Sequence, residues 1–145
     1  MFTHILFPTD HSEMARDAFP KAIDLARKYG GKITLLNVHE EFLNEEEREV
    51  LRVSADHYKD KMKEKAITSR SKMEELVNSA GAEDICEVVL REGAPKTEIL
   101  STAEELGCDT IVMSSNGRSN LKQVLLGSVA EYVVRMAKIP VLVIK

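Results

Sequence analysis

The sequence predicts a single α/β domain over residues 1–145, with one open, doubly wound, parallel five-stranded sheet and helices on both of its faces. Three observations predict this fold class. Strand and helix patterns alternate along the chain without a linker, a low-complexity segment or an internal repeat. Several strand segments are continuous aliphatic runs, which is typical of parallel strands covered by helices on both sides. Crossovers between parallel strands are almost always right-handed, which leaves the sheet open.

The first strand and helix are marked by a change in hydrophobic period. Phe2–Phe7 is a short apolar run and is predicted to be a strand. After Ser12, apolar residues recur at steps of three and four, which indicates an amphipathic helix. Glycines 30–31 end that helix, since a helix C-terminus favours a residue that tolerates the left-handed conformation. Pro20 lies inside the pattern, so we expect it either to kink the helix or to mark its true first turn.

The second strand and a long charged helix follow. Lys32–Val38 is predicted to be a strand, and a stripe of apolar residues predicts a helix over Asn44–Ala80. The charged segment Lys59–Lys65 within it is interpreted as a solvated helix face rather than a binding tract. The rest of the chain continues the alternation: strand Ile85–Leu90, helix Lys96–Leu106, strand Thr110–Met113, helix Val129–Lys138 and the terminal strand Pro140–Lys145.

Composition excludes several classes of protein. The chain is 43% hydrophobic and 30% charged with a net charge of −4, which is typical of a globular domain. Scattered Lys and Arg give no basic face for nucleic acid. No apolar run approaches the roughly 18 residues needed to span a bilayer, and the N-terminal segment has no pattern of a secretory leader. We therefore expect a cytoplasmic protein with no membrane contact. Cys86 and Cys108 form no metal or redox motif and are interpreted as buried thiols.

The turns after the first and fourth strands are the richest in chemistry. Ligands of open α/β sheets bind beyond the carboxyl ends of the strands, where the strand order reverses. Pro8, Thr9 and Asp10 follow the first strand, and the segment Ser114–Ser128 follows the fourth. If the order reverses between those strands, both turns border one crevice.

The long turn after the fourth strand has two interpretations. Gly117 and Gly127 permit backbone angles and close approaches that a Cβ would forbid. Ser128 is the predicted N-cap of the next helix, whose free N–H groups favour an anion. These residues suit a phosphate site and an ordinary capped loop equally well.

Four motifs in order resemble the universal stress protein family, and the similarity runs almost from end to end. They are Pro8-Thr9-Asp10, Gly93-Ala94-Pro95, Gly117-x9-Gly127-Ser128 and Pro140-Val141-Leu142-Val143. The resemblance implies the strand order 3-2-1-4-5. In the ATP-type subgroup of that family, which carries the full glycine motif, it also implies ATP or another adenine nucleotide (AMP or ADP) as ligand, with Mg²⁺ accompanying ATP; another branch of the family binds no nucleotide.

The resemblance also implies roles for individual positions. Pro8, Thr9 and Asp10 would approach the nucleoside, with Asp10 near the ribose or a metal-linked group. The backbone of Val38 would meet the adenine edge. The phosphates and their surroundings would involve the remaining predicted binding residues, namely Met113, Ser114, Gly117, Arg118, Gly127, Ser128 and Val129. Ser114 stands where the family motif has glycine, which puts tight wrapping of a triphosphate in question more than adenosine binding.

No catalytic residue and no metal site is predicted. The loop lacks the Gly-Lys-Ser/Thr ending of a phosphate-binding P-loop, and Asp10 has no evident carboxylate partner. His11 is interpreted as a surface histidine at a helix start. We therefore expect a regulatory, nucleotide-binding protein rather than an enzyme. Two alternatives stay open: a weak ATPase, and a dimeric interaction module that binds no nucleotide.

The last strand predicts a partner. Pro140–Lys145 is apolar on both sides of the pleat and is expected at an edge of the sheet, where unpaired backbone groups favour pairing with another strand. Pairing with the same strand of a second copy would build a two-fold interface, and universal stress proteins are similar in this respect. We therefore expect a homodimer.

Overall fold

The computed structural model confirms the predicted fold class and describes residues 1–40, 49, 55–116 and 126–145. All strands of its sheet are parallel, in the order β3-β2-β1-β4-β5. The strands are β1 (His4–Pro8), β2 (Lys32–His39), β3 (Cys86–Glu92), β4 (Thr110–Ser114) and β5 (Val141–Ile144). The helices among the described residues are α1 (Glu13–Lys28), α2 (Ala55–Ser79), α3 (Pro95–Glu105) and α4 (Ser128–Met136). The predicted start of the long helix at Asn44 lies outside the described residues.

Each face of the sheet carries its own apolar core, as a doubly wound fold requires. On one face, Ile5, Phe7 and other buried strand side chains pack against α1 and α2. On the other face, Leu6, Ile111 and their neighbours pack against α3 and α4. Adjacent residues of β1 therefore enter opposite cores, which explains why the strand is apolar throughout rather than alternating.

Aromatic packing and a close backbone approach fix α1 and the start of β2 against β1. Phe19 of α1 and Phe7 of β1 are fully buried, and their rings meet edge to face with centroids 5.2 Å apart. Gly31 lies beneath the N-terminal segment, where a Cβ would come within 2.2 Å of the Phe2 carbonyl oxygen. The absence of a side chain at Gly31 is therefore what lets the chain enter β2 beside residues 2–3.

The prediction that Pro20 marks the first turn of its helix is wrong. The helix begins at Glu13, after an N-cap in which the Ser12 hydroxyl accepts a hydrogen bond from the Ala15 N–H at 3.2 Å. Proline in a helix interior removes one backbone hydrogen bond. Here the Pro20 ring is exposed. Six buried residues hold the helix on the sheet: Ala15, Ala18, Phe19, Ala22, Ile23 and Ala26.

Neither cysteine is ionised near neutral pH. Burial raises the pKa of the Cys86 thiol to about 12 and that of the Cys108 thiol to about 11. Cys108 is buried and Cys86 is half-buried, so the interpretation as buried thiols is confirmed for Cys108 and holds in part for Cys86.

Asp109 ties the N-terminal residues to the start of β4. Its carboxylate accepts hydrogen bonds from the Thr3 hydroxyl, from the Thr3 N–H at 3.1 Å and from the Thr110 hydroxyl at 3.1 Å. Partial burial would by itself raise the pKa of this carboxyl, but the hydrogen bonds from Thr3, His4 and Thr110 together outweigh it and lower the pKa. The charged form is therefore the one that the folded chain prefers.

Replacing Asp109 with asparagine is expected to reduce the free energy of unfolding at pH 7 by about 1 kcal/mol, the net value of an ordinary hydrogen bond. A carboxyl whose pKa is lowered on folding stabilises the protein above its unfolded pKa, and this stabilisation disappears as pH falls through the folded pKa. The difference between wild type and Asp109→Asn should therefore shrink below about pH 4. Urea unfolding at several pH values measures this difference in the free energy of unfolding. The control is Asp24→Asn, at an exposed residue of α1. A gap of equal size at every pH would contradict this account.

Candidate functional site

A crevice opens at the carboxyl edge of the sheet between its first and fourth strands. The register of β1 with β4 runs only from Ile5–Thr110 to Leu6–Ile111. On its other side, β1 stays paired with β2 as far as Pro8–Leu36. The two strands therefore separate beyond Leu6, at the point where the strand order reverses. This opening lies between the turns after β1 and β4, where the sequence predicts the site.

The turn after β1 is held by one backbone bond to β2 and by side chains within the turn that accept from its N–H groups. The Thr9 N–H donates to the Leu36 carbonyl at 2.8 Å, and the Thr9 hydroxyl accepts from the His11 N–H at 3.1 Å. Asp10 is half-buried, and its Oδ1 accepts from the Ser12 N–H at 3.0 Å. Thr9 is 6% exposed, so its role is to shape the turn. Asp10 is the residue of Pro8-Thr9-Asp10 that carries charge to the crevice.

Three side chains that the sequence did not assign to the site support this turn from below. The Asn37 Nδ2 donates to the Thr9 carbonyl at 2.8 Å, the Ser69 hydroxyl donates to Asn37 Oδ1 at 2.9 Å, and the His11 Nε2 lies 2.8 Å from the Ser69 hydroxyl. With the bond from the His11 N–H to Thr9, these contacts form a closed ring of residues Thr9, His11, Asn37 and Ser69. The interpretation of His11 as a surface histidine at a helix start holds in part: the residue is half-buried, and its Nε2 contacts Ser69 of α2.

At the end of β4, groups expected to face a ligand are used to close the turn. The Ser114 hydroxyl donates to the Asn116 carbonyl at 2.9 Å, and the Gly127 N–H donates to the Ser115 carbonyl at 2.7 Å. Gly127 has φ −68°, so no unusual backbone angle requires glycine there. A Cβ at Gly127 would instead lie 3.3 Å from the Ser115 carbonyl oxygen, so the close approach is what favours glycine.

The prediction that Ser128 caps the last helix is wrong. Gly127 is the N-cap, Ser128 is the first residue of α4, and no side chain caps this end. The first intrahelical bond runs from the Glu131 N–H to the Gly127 carbonyl at 2.9 Å. The N–H groups of Ser128, Val129 and Ala130 therefore precede the hydrogen-bonded ladder, and the described part of the chain offers them no acceptor. Donors of this kind suit an anion.

The remaining predicted residues lie on the crevice walls or outside the described residues. Val38, near the end of β2, is half-buried, and Met113 is 5% exposed, so its side chain is part of the core under α3 and α4. Only the backbone of Met113 is available to a ligand. Gly117 and Arg118 lie outside the described residues. The structure thus places Pro8, Thr9 and Asp10 on one side of the crevice and Ser114 with Gly127–Val129 on the other.

His39, next to Val38, is a polar group that the sequence did not single out. Its Nε2 is buried without a hydrogen-bond partner among the described residues. Burial lowers the pKa of His39, and Lys65 lowers it further while Glu92 raises it. The ring is therefore neutral at pH 7.

Within the described ranges, no group of three or more His, Cys, Asp or Glu side chains could hold a metal ion, and no helix is long and apolar enough to cross a membrane.

Comparison with known proteins agrees with this architecture. The model of the universal stress protein family matches residues 1–145. The universal stress protein MJ0577 of Methanocaldococcus jannaschii is 32% identical over 158 aligned positions, which cover 100% of this chain and 96% of the relative.

Solved structures agree as well. The MJ0577 structure superposes with a TM-score of 0.82 at 32% identity, over 100% of this chain and 96% of the other. The UspA structure from Lactobacillus plantarum gives a TM-score of 0.83 at 24% identity, over 99% and 98% of the two chains, which shows the same fold. An Archaeoglobus fulgidus universal stress protein solved in complex with dAMP gives a TM-score of 0.65 at 22% identity, over 99% and 98%.

Proposed function

The chain belongs to the universal stress protein family, and within that family we propose that it is a regulatory protein that binds an adenine nucleotide in the crevice between β1 and β4. One observation carries the proposal. The two strands separate just where the Asp10 turn and the uncapped start of α4 flank the opening. A nucleoside and a phosphate could then be held by opposite sides of one cleft.

The groups on the two sides suit the two halves of a nucleotide. The Asp10 carboxylate is an acceptor for ribose hydroxyls, and the backbone of Val38 supplies polar groups for an adenine edge. The amides of Ser128, Val129 and Ala130 suit a phosphate, because their N–H groups and the helix dipole both favour negative charge. A structural neighbour from Archaeoglobus fulgidus was solved with dAMP, which supports the same ligand class.

The geometry favours a monophosphate or diphosphate over a tightly wrapped triphosphate. The Ser114 hydroxyl and the Gly127 N–H already have acceptors at 2.9 and 2.7 Å, in Asn116 and Ser115. Neither group is then a donor for a third phosphate unless the turn rearranges. Arg118 and Gly117, outside the described residues, would be the further phosphate contacts, and Mg²⁺ would accompany ATP.

We propose no catalytic role for this site. Efficient phosphoryl transfer needs a positioned nucleophile and several charge-stabilising groups, and the described crevice residues provide one carboxylate, Asp10, together with backbone donors. Regulation through bound nucleotide, in the cytoplasm, is the role that we propose. A single-turnover assay with magnesium tests this, because it would detect even slow hydrolysis of a bound nucleotide.

Binding is tested by calorimetric titration of the purified protein with AMP, ADP and ATP, with GMP and adenosine as comparisons. We expect the adenine nucleotides to bind and Asp10→Asn to weaken binding about tenfold, because the carboxylate oxygen that is free to accept from a ribose hydroxyl becomes an NH₂ group that cannot accept. Asparagine retains the Oδ1 that accepts from the Ser12 N–H, so the turn keeps its shape. The exposed Asp24→Asn is the matched control. Absence of binding at millimolar nucleotide would leave the empty interaction module as the better hypothesis.

We also propose a homodimer through the terminal strand. Among the described residues, β5 lies at an edge of the sheet and pairs with β4 alone, and Leu142 on it is 38% exposed. An uncovered apolar edge favours strand pairing. Val143→Lys is expected to convert a dimer into a monomer in sedimentation velocity, because the lysine charge would be buried among the side chains that flank the paired strands. Ile67→Lys, at a side chain 67% exposed on α2, is the control. A wild-type monomer at micromolar concentration would contradict this interface.

A further inference from the structure

We propose that helix α2 positions the nucleotide-facing turn through the closed ring of Thr9, His11, Asn37 and Ser69, so that packing of α2 and binding of nucleotide stabilise each other. The inference rests on the proposed function, since it concerns the same crevice. It adds three positioning residues, His11, Asn37 and Ser69, which contact the turn rather than the ligand.

The direction of every hydrogen bond in the ring is fixed. The Thr9 carbonyl can only accept, so the amide nitrogen of Asn37 faces it at 2.8 Å. The Asn37 Oδ1 therefore faces Ser69, whose hydroxyl must donate its one proton there, at 2.9 Å. The Ser69 hydroxyl oxygen in turn accepts from the His11 Nε2–H at 2.8 Å. Removing the Ser69 hydroxyl would thus interrupt the ring on both sides.

The ring holds a strained residue beside Asp10. His11 has φ +65°, a left-handed conformation that costs a residue with a side chain about 1–2 kcal/mol. Its N–H is bound to the Thr9 hydroxyl and its imidazole to Ser69, so both ends of the residue are fixed. Asp10 lies between Thr9 and His11, and its carboxylate is therefore set in place before a ligand arrives, which reduces the ordering that binding requires.

Burial makes the ring sensitive to how α2 packs. Asn37 is 5% exposed and Ser69 is 4% exposed, and Ser69 lies well inside α2. If this part of α2 separates from the sheet, Asn37 and His11 lose their shared partner and the turn loses its support. By reciprocity, a ligand that requires the ordered turn must also strengthen the packing of α2.

The test compares Ser69→Ala with Ser71→Ala, an exposed serine on the same helix, by titration with AMP. We expect Ser69→Ala to raise the dissociation constant about five- to tenfold, since a hydrogen bond is lost and a buried acceptor on Asn37 is left unsatisfied. Ser71→Ala should match wild type. His11→Phe, which keeps an aromatic ring but has no N–H to donate, should raise the dissociation constant as Ser69→Ala does, so the test does not depend on how well the Ser69→Ala variant folds.

Hydrogen exchange provides the readout that a purely structural role would not change. In wild type and Ser71→Ala, AMP should slow exchange of the amides around residue 69; in Ser69→Ala and His11→Phe, this protection should disappear while AMP at saturating concentration still protects the crevice. Equal dissociation constants for all variants, or AMP protection of α2 that survives the substitutions, would overturn the coupling and leave nucleotide binding standing. No AMP binding by wild type would overturn both.

Discussion

Replacing Phe19 with alanine is expected to lower the free energy of unfolding by about 3–5 kcal/mol. Phe19 is fully buried between α1 and the sheet, and its ring meets that of Phe7 edge to face at a centroid distance of 5.2 Å. The substitution removes both the apolar burial and this ring contact, and the parallel strands around the cavity have little freedom to collapse into it.

Equilibrium unfolding in urea measures the effect, at one fixed protein concentration and without nucleotide, because ligand and partner both shift apparent stability. The control is Ile67→Ala, at a side chain 67% exposed on α2, for which we expect a change below about 0.5 kcal/mol. A loss below about 1 kcal/mol for Phe19→Ala would contradict the packing described for this core.

The second large effect is expected at Gly31, where alanine should lower the free energy of unfolding by about 3 kcal/mol, the upper part of the usual range for overpacking. An added Cβ would lie 2.2 Å from the Phe2 carbonyl oxygen and 2.8 Å from the Thr3 Cα. Both are backbone atoms, so the collision is relieved only by moving the N-terminal segment away from β2.

Gly30→Ala separates this collision from the loss of glycine as such. Gly30 has φ +64° and open space around its Cβ position, so the same substitution should reduce stability by only about 1–2 kcal/mol through backbone strain. The Lys32 N–H, which donates to the Thr3 carbonyl at 3.0 Å, provides a local probe. Its hydrogen exchange should accelerate in Gly31→Ala and stay near wild type in Gly30→Ala. Equal losses of stability in the two variants would contradict this explanation.

The fold could be predicted from the sequence because its signals are local and repeated. The continuous aliphatic runs in β1, β2 and β4 indicate parallel strands covered on both faces, and single glycines, one glycine pair and prolines separate the elements. Element ends were less accurate. Strand β2 extends to His39 rather than Val38, since β3 pairs with it as far as Glu92, and that pairing depends on a segment some fifty residues away.

The candidate site could be predicted only as two turns. Asp10 and the start of α4 follow strands that local patterns reveal, so both were expected. The ring was missed because Asn37 and Ser69 are separated by 32 positions and no spacing rule relates them. The available signal was Asn37 itself, an amide inside the aliphatic run Lys32–Val38, since a buried amide requires hydrogen-bond partners. That the Gly127 N–H and the Ser114 hydroxyl bond to carbonyl oxygens of their own turn is visible only in the folded chain.

Because the pKa values of Cys86 and Cys108 are raised, the alkylation rate of these two thiols reports how the surrounding structure opens. Alkylating reagents attack the thiolate, and at about 12 and 11 these pKa values leave almost none of it in the native chain at neutral pH. Covalent labelling therefore becomes fast only when the surrounding strands come apart. The rate at which the mass of the intact chain increases would then follow the population of states in which β3 opens around Cys86 or the turn before β4 opens around Cys108, without any added dye or engineered probe.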